Sequence, residues 1–490
     1  MSVQASGFRS LLVLLLGCLV QACVPQNNQA TTSGPAALST VTSPNIIFIM
    51  ADDMGWGDVG FRGADIHTPN IDRLVERGVR LDRAYSYPVC SPTRAALMTG
   101  MNPLGFGIDG PMQDGEQLPR ELEILPQFFK RAGYQTWMVG KWHLGIHDVQ
   151  AMPHSRGFDS YYGHLGGYVD FYTHTYFGGI DWQRNGRTVR EQGYTTDLLT
   201  AEAVSLVEDY DGSEPFFLYL AYNAPHTPLQ FPPTTARHGY EEFQDPNRHV
   251  FAEMMSSLDT GIGQLIDAIN EAGIRNNTLI IFVSDNGGNL RAGASNGELR
   301  AGKGSVYEGG VRVPGVVSWP TVLPENGELD YPIFPQDWAP TLLSAVDVTF
   351  DAERFEGTDT WPEIVGAGEV FRHTPVILGS RGSYAVYDWP YKLIRLKAEG
   401  NSEAEIQLFD VVTDPREMTN LATERPLITQ KLVQALDTFP MRASKAAKGP
   451  RPEDLFKDED GNFVYDLRLP ETRAPWAESA IDSAVDAGAN

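Results

Sequence analysis

Two apolar runs in this chain end in oxygen ligands. Ile49-Met50-Ala51 passes into Asp52-Asp53, and Phe282-Val283-Ser284 passes into Asp285-Asn286-Gly287-Gly288. In open α/β sheets, ligands gather at the carboxyl ends of strands. Three carboxylates and an amide oxygen collected there make a hard, oxygen-only site, which favours Ca2+ or Mg2+ over zinc. Taken singly, Asp-Asp and Asp-Asn-Gly-Gly are also ordinary turn sequences. A second set carries nucleophilic and cationic chemistry. Cys90 is the only cysteine beyond Cys18 and Cys23, and it opens Cys90-Ser91-Pro92-Thr93-Arg94, with Thr99-Gly100 shortly after. A lone cysteine is ordinarily a small buried core residue. Lys141 and His143 stand two apart in Gly140-Lys141-Trp142-His143-Leu144-Gly145, a spacing that at a strand end points both side chains to one side. His226 lies between Pro225 and Pro228, on a loop stiffened by both. Lys303 sits in Gly302-Lys303-Gly304, and a glycine-rich lysine loop alone is weak evidence even for phosphate binding.

The 490 residues can bury a large core, with two domains expected. From Asn45 to the 340s, short β-rich runs alternate with helical stretches. Asn45–Met50, Thr136–Val139, Phe216–Leu220 and Thr278–Val283 read as buried strands. Helices fit Asn70–Arg77, Leu125–Ala132, Thr196–Asp209 and Ala252–Ala272. This alternation predicts an α/β fold: a large mixed, mostly parallel sheet sandwiched by helices. Closely spaced strands at Pro375–Leu378, Ser383–Tyr387, Tyr391–Leu396 and Ile406–Phe409 predict a smaller C-terminal domain built on a short antiparallel sheet. The expected division is a catalytic domain over 45–345, a C-terminal subdomain over 346–440 and a polar extension over 441–490.

The N-terminal segment reads as an export signal. Arg9 precedes an apolar run from Leu11 to Val20, too short to span a bilayer and suited to a signal-peptide core. Val20-Gln21-Ala22-Cys23 resembles a bacterial lipobox, with Cys23 as a lipidated first residue after a signal over 1–22. Leu15-Leu16-Gly17-Cys18 is a competing frame, and plain secretion is the alternative to anchoring. The polar stretch that completes 23–44 reads as a flexible tether. A periplasmic or cell-surface location is therefore expected. The formal charge of −25 and a pI near 4.7 repel polyanions at long range, which argues against nucleic acid as a partner.

The Cys-x-Pro-x-Arg string with its trailing Thr-Gly resembles the signature of the type I sulfatases, in the alkaline phosphatase superfamily. In that family the cysteine is oxidised after translation to Cα-formylglycine, whose hydrate is the nucleophile. The resemblance extends in order through Gly-Lys-Trp-His-Leu-Gly, Ala224-Pro225-His226-Thr227-Pro228, the block from Gly302 to Pro314, and Leu408-Phe409-Asp410. It implies one Ca2+ held by Asp52, Asp53, Asp285 and Asn286, with residue 90 also in the coordination sphere. It implies catalytic roles for Cys90, Arg94, Lys141, His143, His226 and Lys303. Lys141 and Lys303 contact sulfate, His226 and Lys303 stand near the leaving oxygen, and His143 handles a proton of the hydrate. A formylglycine-generating enzyme is the implied partner in maturation.

The substrate is read from Tyr168 to Phe177 and the preceding Ser155–Gly163, an aromatic, glycine-interleaved stretch that is also compatible with core packing. Flat rings stack on sugar faces, and Asp170 and His174 are the candidate contacts to hydroxyls. The stretch resembles N-acetylgalactosamine-4-sulfatase-like members, so a sulfated carbohydrate is expected. A phosphodiesterase or phosphonate monoester hydrolase of the same superfamily, and a non-enzymatic lipoprotein that binds sulfated glycans, are the competing readings.

Overall fold

The computed structural model describes residues 43–442, except 114–115, 147, 177–178, 235–237, 399 and 401–403, together with 447–448. The export signal, Cys18, Cys23, nearly all of the tether and most of the C-terminal extension lie outside the described residues.

Among the described residues, the main sheet has ten strands. In chain order they are β1 (Asn45–Ala51), β2 (Val79–Tyr85), β3 (Gln135–Lys141), β4 (Ser160–His164), β5 (Gln183–Arg184), β6 (Arg187–Thr188), β7 (Phe216–Ala221), β8 (Thr278–Ser284), β9 (Arg312–Ser318) and β10 (Gly327–Leu329). Their spatial order is β10-β2-β9-β8-β1-β7-β3-β4-β5-β6. The run from β8 to β4 is parallel throughout, whereas β9 is antiparallel to both β8 and β2. The five central parallel strands include the four expected from sequence. Covered on both faces, β1, β7 and β8 are buried at every position, which is why they read as unbroken apolar runs. By contrast, β2 alternates buried residues with half-buried Arg80 and Asp82, and Pro314 interrupts β9 beside a register shift. These two carry weaker strand signals, and the sequence reading passed over them.

Helices cover both faces. Ile46, Phe48 and Met50 of β1 pack into one core with α2 (Cys90–Thr99) and α3 (Leu125–Arg131). Ile47, Ile49 and Ala51 face the other core, with α1 (Pro69–Glu76), α4 (Thr195–Glu208) and α5 (Pro246–Glu271). The last begins a turn and a half before the expected Ala252, capped by the Asp245 carboxylate accepting from Asn247 N–H and opened by Pro246. Its first turn is mostly polar and exposed to half-buried, so apolar periodicity does not mark it.

The C-terminal sheet is antiparallel, in the order β11 (Val376–Ser380), β12 (Ser383–Asp388), β13 (Tyr391–Arg395), β14 (Ile406–Asp410). Its apolar face shares a core with Tyr85, Tyr87, Val311 and Phe334. A buried polar knot crosses the same seam. Lys392 of β13 pairs with Glu308 at 3.0 Å and Glu417 at 2.7 Å, and Tyr85 and Tyr387 donate to Glu308.

Candidate active site

Register places the ligand residues side by side. Ala51 pairs with Ser284 across β1 and β8, so Asp52 and Asp285 leave adjacent strands at the same level, tied by Asp285 N–H to the Ala51 carbonyl at 3.0 Å. On the other flank Met50 and Gly140 both pair with Ala221, which brings Lys141 to the same sheet edge. Gly140 has φ 110°, and a Cβ there would meet the Ala221 carbonyl oxygen at 1.9 Å. Only glycine permits that approach.

Cys90 arrives from the other side, as the first residue of α2. All ten residues of this helix are buried, and Gly100 ends it in the left-handed conformation with its N–H on the Ala96 carbonyl. The Thr-Gly of the sequence motif is thus a helix stop. The helix N-terminus, carrying unsatisfied N–H groups and partial positive charge, points residue 90 into the cluster. Ligand atoms of Asp52, Asp53, Cys90 and His226 lie within 4.8 Å of one another.

Three cations interlock with three carboxylates. Lys141 Nζ is 2.5 Å from Asp52 Oδ2. Arg94 donates through Nε and Nη2 to Asp285 Oδ2 at 3.1 and 2.8 Å, and through Nη1 to the Lys141 carbonyl at 2.8 Å. Lys303 Nζ reaches both oxygens of Asp53, at 2.6 and 2.8 Å. Asn286 donates through Nδ2 to Asp53 Oδ1 at 2.8 Å, which turns its own carbonyl oxygen elsewhere. That oxygen and Asp52 Oδ1 are buried with no hydrogen-bond partner. Two orphaned oxygens beside two further carboxylates are the donor set of a hard cation, so the residues fit Ca2+.

Burial and the neighbouring Asp285 push the Asp52 carboxyl up to about 7, against the pull of Lys141 and Arg94. Burial acts the same way on Asp53, but Lys303 and His226 override it and hold that carboxyl below its ordinary range. Burial pushes the Cys90 thiol up to about 11, so an unmodified thiol is neutral and a poor nucleophile. The formal charges of Asp52, Asp53 and Asp285 cancel those of Arg94, Lys141 and Lys303. A divalent cation would make the site net positive, in a chain whose global charge is strongly negative.

The two histidines are held differently. His226 Nδ1 donates to the Thr227 carbonyl at 2.6 Å, leaving Nε2 3.7 Å from Asp53 Oδ2, and Tyr168 stacks on the ring. Burial brings its pKa down to about 4. His143 is not part of β3, which ends at Lys141; it has φ 55°. The strand-alternation reason for its placement beside Lys141 therefore does not hold, and tertiary bonds place it instead. Its N–H donates to the Leu165 carbonyl, its carbonyl accepts from Ser91 Oγ at 3.0 Å, and Nε2 is 3.4 Å from the Met112 carbonyl. Nδ1 is left buried and unpartnered. Burial and Lys141 hold the ring neutral, well below its ordinary range.

The two residues expected to contact sugar hydroxyls bond within the fold. Asp170 spends Oδ1 on the N–H groups of Tyr172 and Thr173, and Oδ2 on Gln230. His174 is 3% exposed, stacked on Trp182, with Nε2 on the Gly193 carbonyl. Both side chains help hold the fold of their loop, with Asp170 half-buried and His174 buried; a polar residue in an aromatic stretch looks the same in sequence either way. Sequence reasoning also missed Tyr219, whose hydroxyl lies 3.5 Å from Arg94 Nη1, and Met112, whose backbone bridges Ser91 and His143. Strand alternation was a signal for the first. The second acts through its main chain and leaves none.

The chain matches the sulfatase family profile over residues 44–348. It is 32% identical over 476 residues to arylsulfatase J of Mus musculus, covering 86% of this chain and 78% of that one. It is 34% identical over 320 residues to N-acetylgalactosamine-6-sulfatase of Mus musculus, covering 59% of each. The crystal structure of Ps i-CgsB in complex with k-i-k-neocarrahexaose superposes with a TM-score of 0.77 at 32% identity, covering 83% of this chain and 95% of that one. With its strand-end carboxylates, helix-borne cysteine and ring of cations, the chain belongs to the sulfatase family and is a sulfuric ester hydrolase.

Proposed function

We propose that this enzyme removes sulfate from a sulfated carbohydrate, using formylglycine made from Cys90 and one Ca2+ bound by Asp52, Asp53, Asp285 and Asn286. The observation that carries the reading is the buried convergence of Cys90, orphaned ligand oxygens and three cations at one sheet edge. The carbohydrate part draws on relatives whose names specify sugar sulfates and on the carrahexaose complex.

Hydrated, the residue 90 aldehyde would supply the hydroxyl that attacks sulfur, and Ca2+ held by Asp52, Asp53, Asp285 and Asn286 would supply positive charge to the site. Lys141 and Lys303 hold the sulfate, and Arg94 fixes Asp285 and the Lys141 backbone so that this field is in place beforehand. Preorganised charge in a dry site is worth far more than in water. Cleavage of the S–O bond leaves the electron pair on the sugar oxygen, which takes a proton from Lys303, the protonated group on the side where it and neutral His226 stand. His143 accepts the proton of the second hydroxyl of residue 90 at Nδ1, the lone pair that the Met112 contact leaves open; the residue 90 C–O bond then breaks with its electron pair going to the departing sulfate, the aldehyde returns, and water rehydrates it. The sum is ester plus water giving alcohol plus sulfate.

Co-production with a formylglycine-generating enzyme should yield a residue 90 peptide lighter than the cysteine form by roughly 18 Da in mass spectrometry. Cys90→Ser made with an enzyme that matures only cysteine sites should be nearly inactive; full activity in a wholly unmodified protein contradicts the reading. Chelation should lower the melting temperature and Ca2+ should restore it, since a cation that binds only the folded state stabilises it by mass action. Side-by-side turnover of an aryl sulfate and an aryl phosphonate tests the leaving-group class. We further propose export with lipid anchoring at Cys23, supported by the apolar N-terminal run and lipobox-like string; absence of lipid from Cys23 in protein isolated from its own membrane contradicts it.

A further inference from the structure

Beside the wall that holds His143, a polar concavity of about 130 Å3 is lined by Asp109, Gln113, Glu116 and Arg381. Arg381 comes from the C-terminal sheet. It is the first tip residue of the β11–β12 hairpin, where Ser380 pairs with Ser383, and both tip residues are left-handed, Arg381 with φ 51° and Gly382 with φ 96°. Such two-residue tips are the place of Asn, Asp and Gly, and a long side chain is strained there. The tip is docked: Arg381 N–H donates to the Asp109 carbonyl at 3.1 Å. The arginine stem lies over Gly110, where an added Cβ would meet its Nε at 3.3 Å.

From there the catalytic centre is close. Met112, two residues on, donates its N–H to Ser91 Oγ at 2.9 Å and faces His143 with its carbonyl. Two residues of chain span about 7 Å at most, so the concavity adjoins the Cys90 site. Among the described residues, neither the Asp109 carboxylate nor the Arg381 guanidinium has an ion pair or side-chain hydrogen bond. Gln113 places its amide nitrogen on the Pro111 carbonyl, and Glu116 accepts from Gln113 N–H. An open acceptor and an open donor thus line one hollow next to the reacting centre. Among the described lining residues, two carboxylates against one arginine leave it net negative, which disfavours an anion and suits hydroxyl groups.

We propose that this hollow is the subsite for the sugar adjoining the sulfated one, with its hydroxyls held between Asp109 and Arg381 and a second sulfate disfavoured at that position. This rests on the carbohydrate reading of the active site. Binding energy from such a remote sugar raises kcat/KM without touching sulfur.

The test compares wild type, Arg381→Asn and Asp109→Ala on three substrates: an aryl sulfate, a sulfated monosaccharide, and that sugar extended at either end by an unsulfated one. Asn is at home in the left-handed region, so Arg381→Asn should melt at the same temperature or higher. In wild type, extension should raise kcat/KM; each variant should lose that gain by about tenfold, mainly in KM, the scale of a lost hydrogen bond to a charged group. Activity on the aryl sulfate and the monosaccharide should be unchanged. An unaltered extension gain overturns the subsite, as does an equal loss on all three substrates. Wild type that cleaves the aryl ester but neither sugar overturns the carbohydrate reading itself, a failure visible before any variant is made.

Discussion

Lys303 and His174 illustrate how differently a polar side chain behaves when its partner is reactive or structural. Lys303 reaches both oxygens of Asp53, and that carboxylate raises its pKa against the effect of burial. It stays charged where sulfate would sit. Lys303→Ala should lower kcat by about 10²–10³, the usual cost of losing one preorganised donor, and should do so on aryl sulfate and sulfated sugar alike. His174 is packed on Trp182. His174→Ala should lower the melting temperature, with a ΔΔG of roughly 1–3 kcal/mol, and change turnover of both substrates by a common factor. Selective loss on the sugar would restore it as a substrate contact. Stability by denaturant titration and steady-state kinetics separate the two.

At the scale of elements, the seam between the sheets controls where Lys303 stands. Its loop is stitched to the site by Lys303 N–H on the Gly288 carbonyl, Gly304 N–H on Pro88 and Gly287 N–H on Gly310. The loop runs into the short helix Glu308–Val311, and Glu308 is the residue that Lys392 grips. Burial pushes Glu417 up to about 7, against the pull of Lys392, while Lys392 and Arg312 hold Glu308 below its ordinary range despite burial. Removing the lysine leaves two buried carboxyl groups facing one another. Lys392→Met should therefore cost about 3–5 kcal/mol, read by chemical denaturation, and Glu417→Gln in the same chain should recover part of it. Strict additivity of the two substitutions would show that the groups are not coupled.

The whole molecule carries several histidines that burial keeps neutral. His164 is held well below 6.5, His154 is lowered, and His174 is brought down to about 4. In the unfolded chain each takes a proton as pH falls through about 6.5, the ordinary histidine value. In the folded chain His174 resists until about 4. Their contribution is complete above the unfolded value and is lost as pH falls from about 6.5 towards 4. His174→Phe should make that acid limb shallower by up to roughly 3 kcal/mol, measured as unfolding free energy against pH, with Glu191 and Asp170 the charges nearest the ring. An unchanged slope would show that His174 does not titrate differently in the two states.

Local sequence determined a good part of this protein. Strands covered on both faces are apolar almost throughout, so Asn45–Met50, Phe216–Leu220 and Thr278–Val283 were legible, each one residue short of the observed strand, and so were the Asp-Asp and Asp-Asn pairs that follow two of them. The Cys-x-Pro-x-Arg string and its companion blocks named the family because chemistry constrains residue type as well as spacing. Tertiary structure alone decided the rest. Polar-interleaved β2 and Pro-interrupted β9 form only because neighbours supply their ladders. His143 stands beside Cys90 through bonds to Leu165, Ser91 and Met112, not through strand alternation. His174 packs inward on Trp182, half-buried Asp170 is tied to its own loop and Gln230, and Arg381 came to the edge of the site from a hairpin nearly three hundred residues downstream of Cys90. Residue type states what a side chain can do; which groups remain unpaired and face one another depends on contacts between segments distant in sequence, and no local pattern records them.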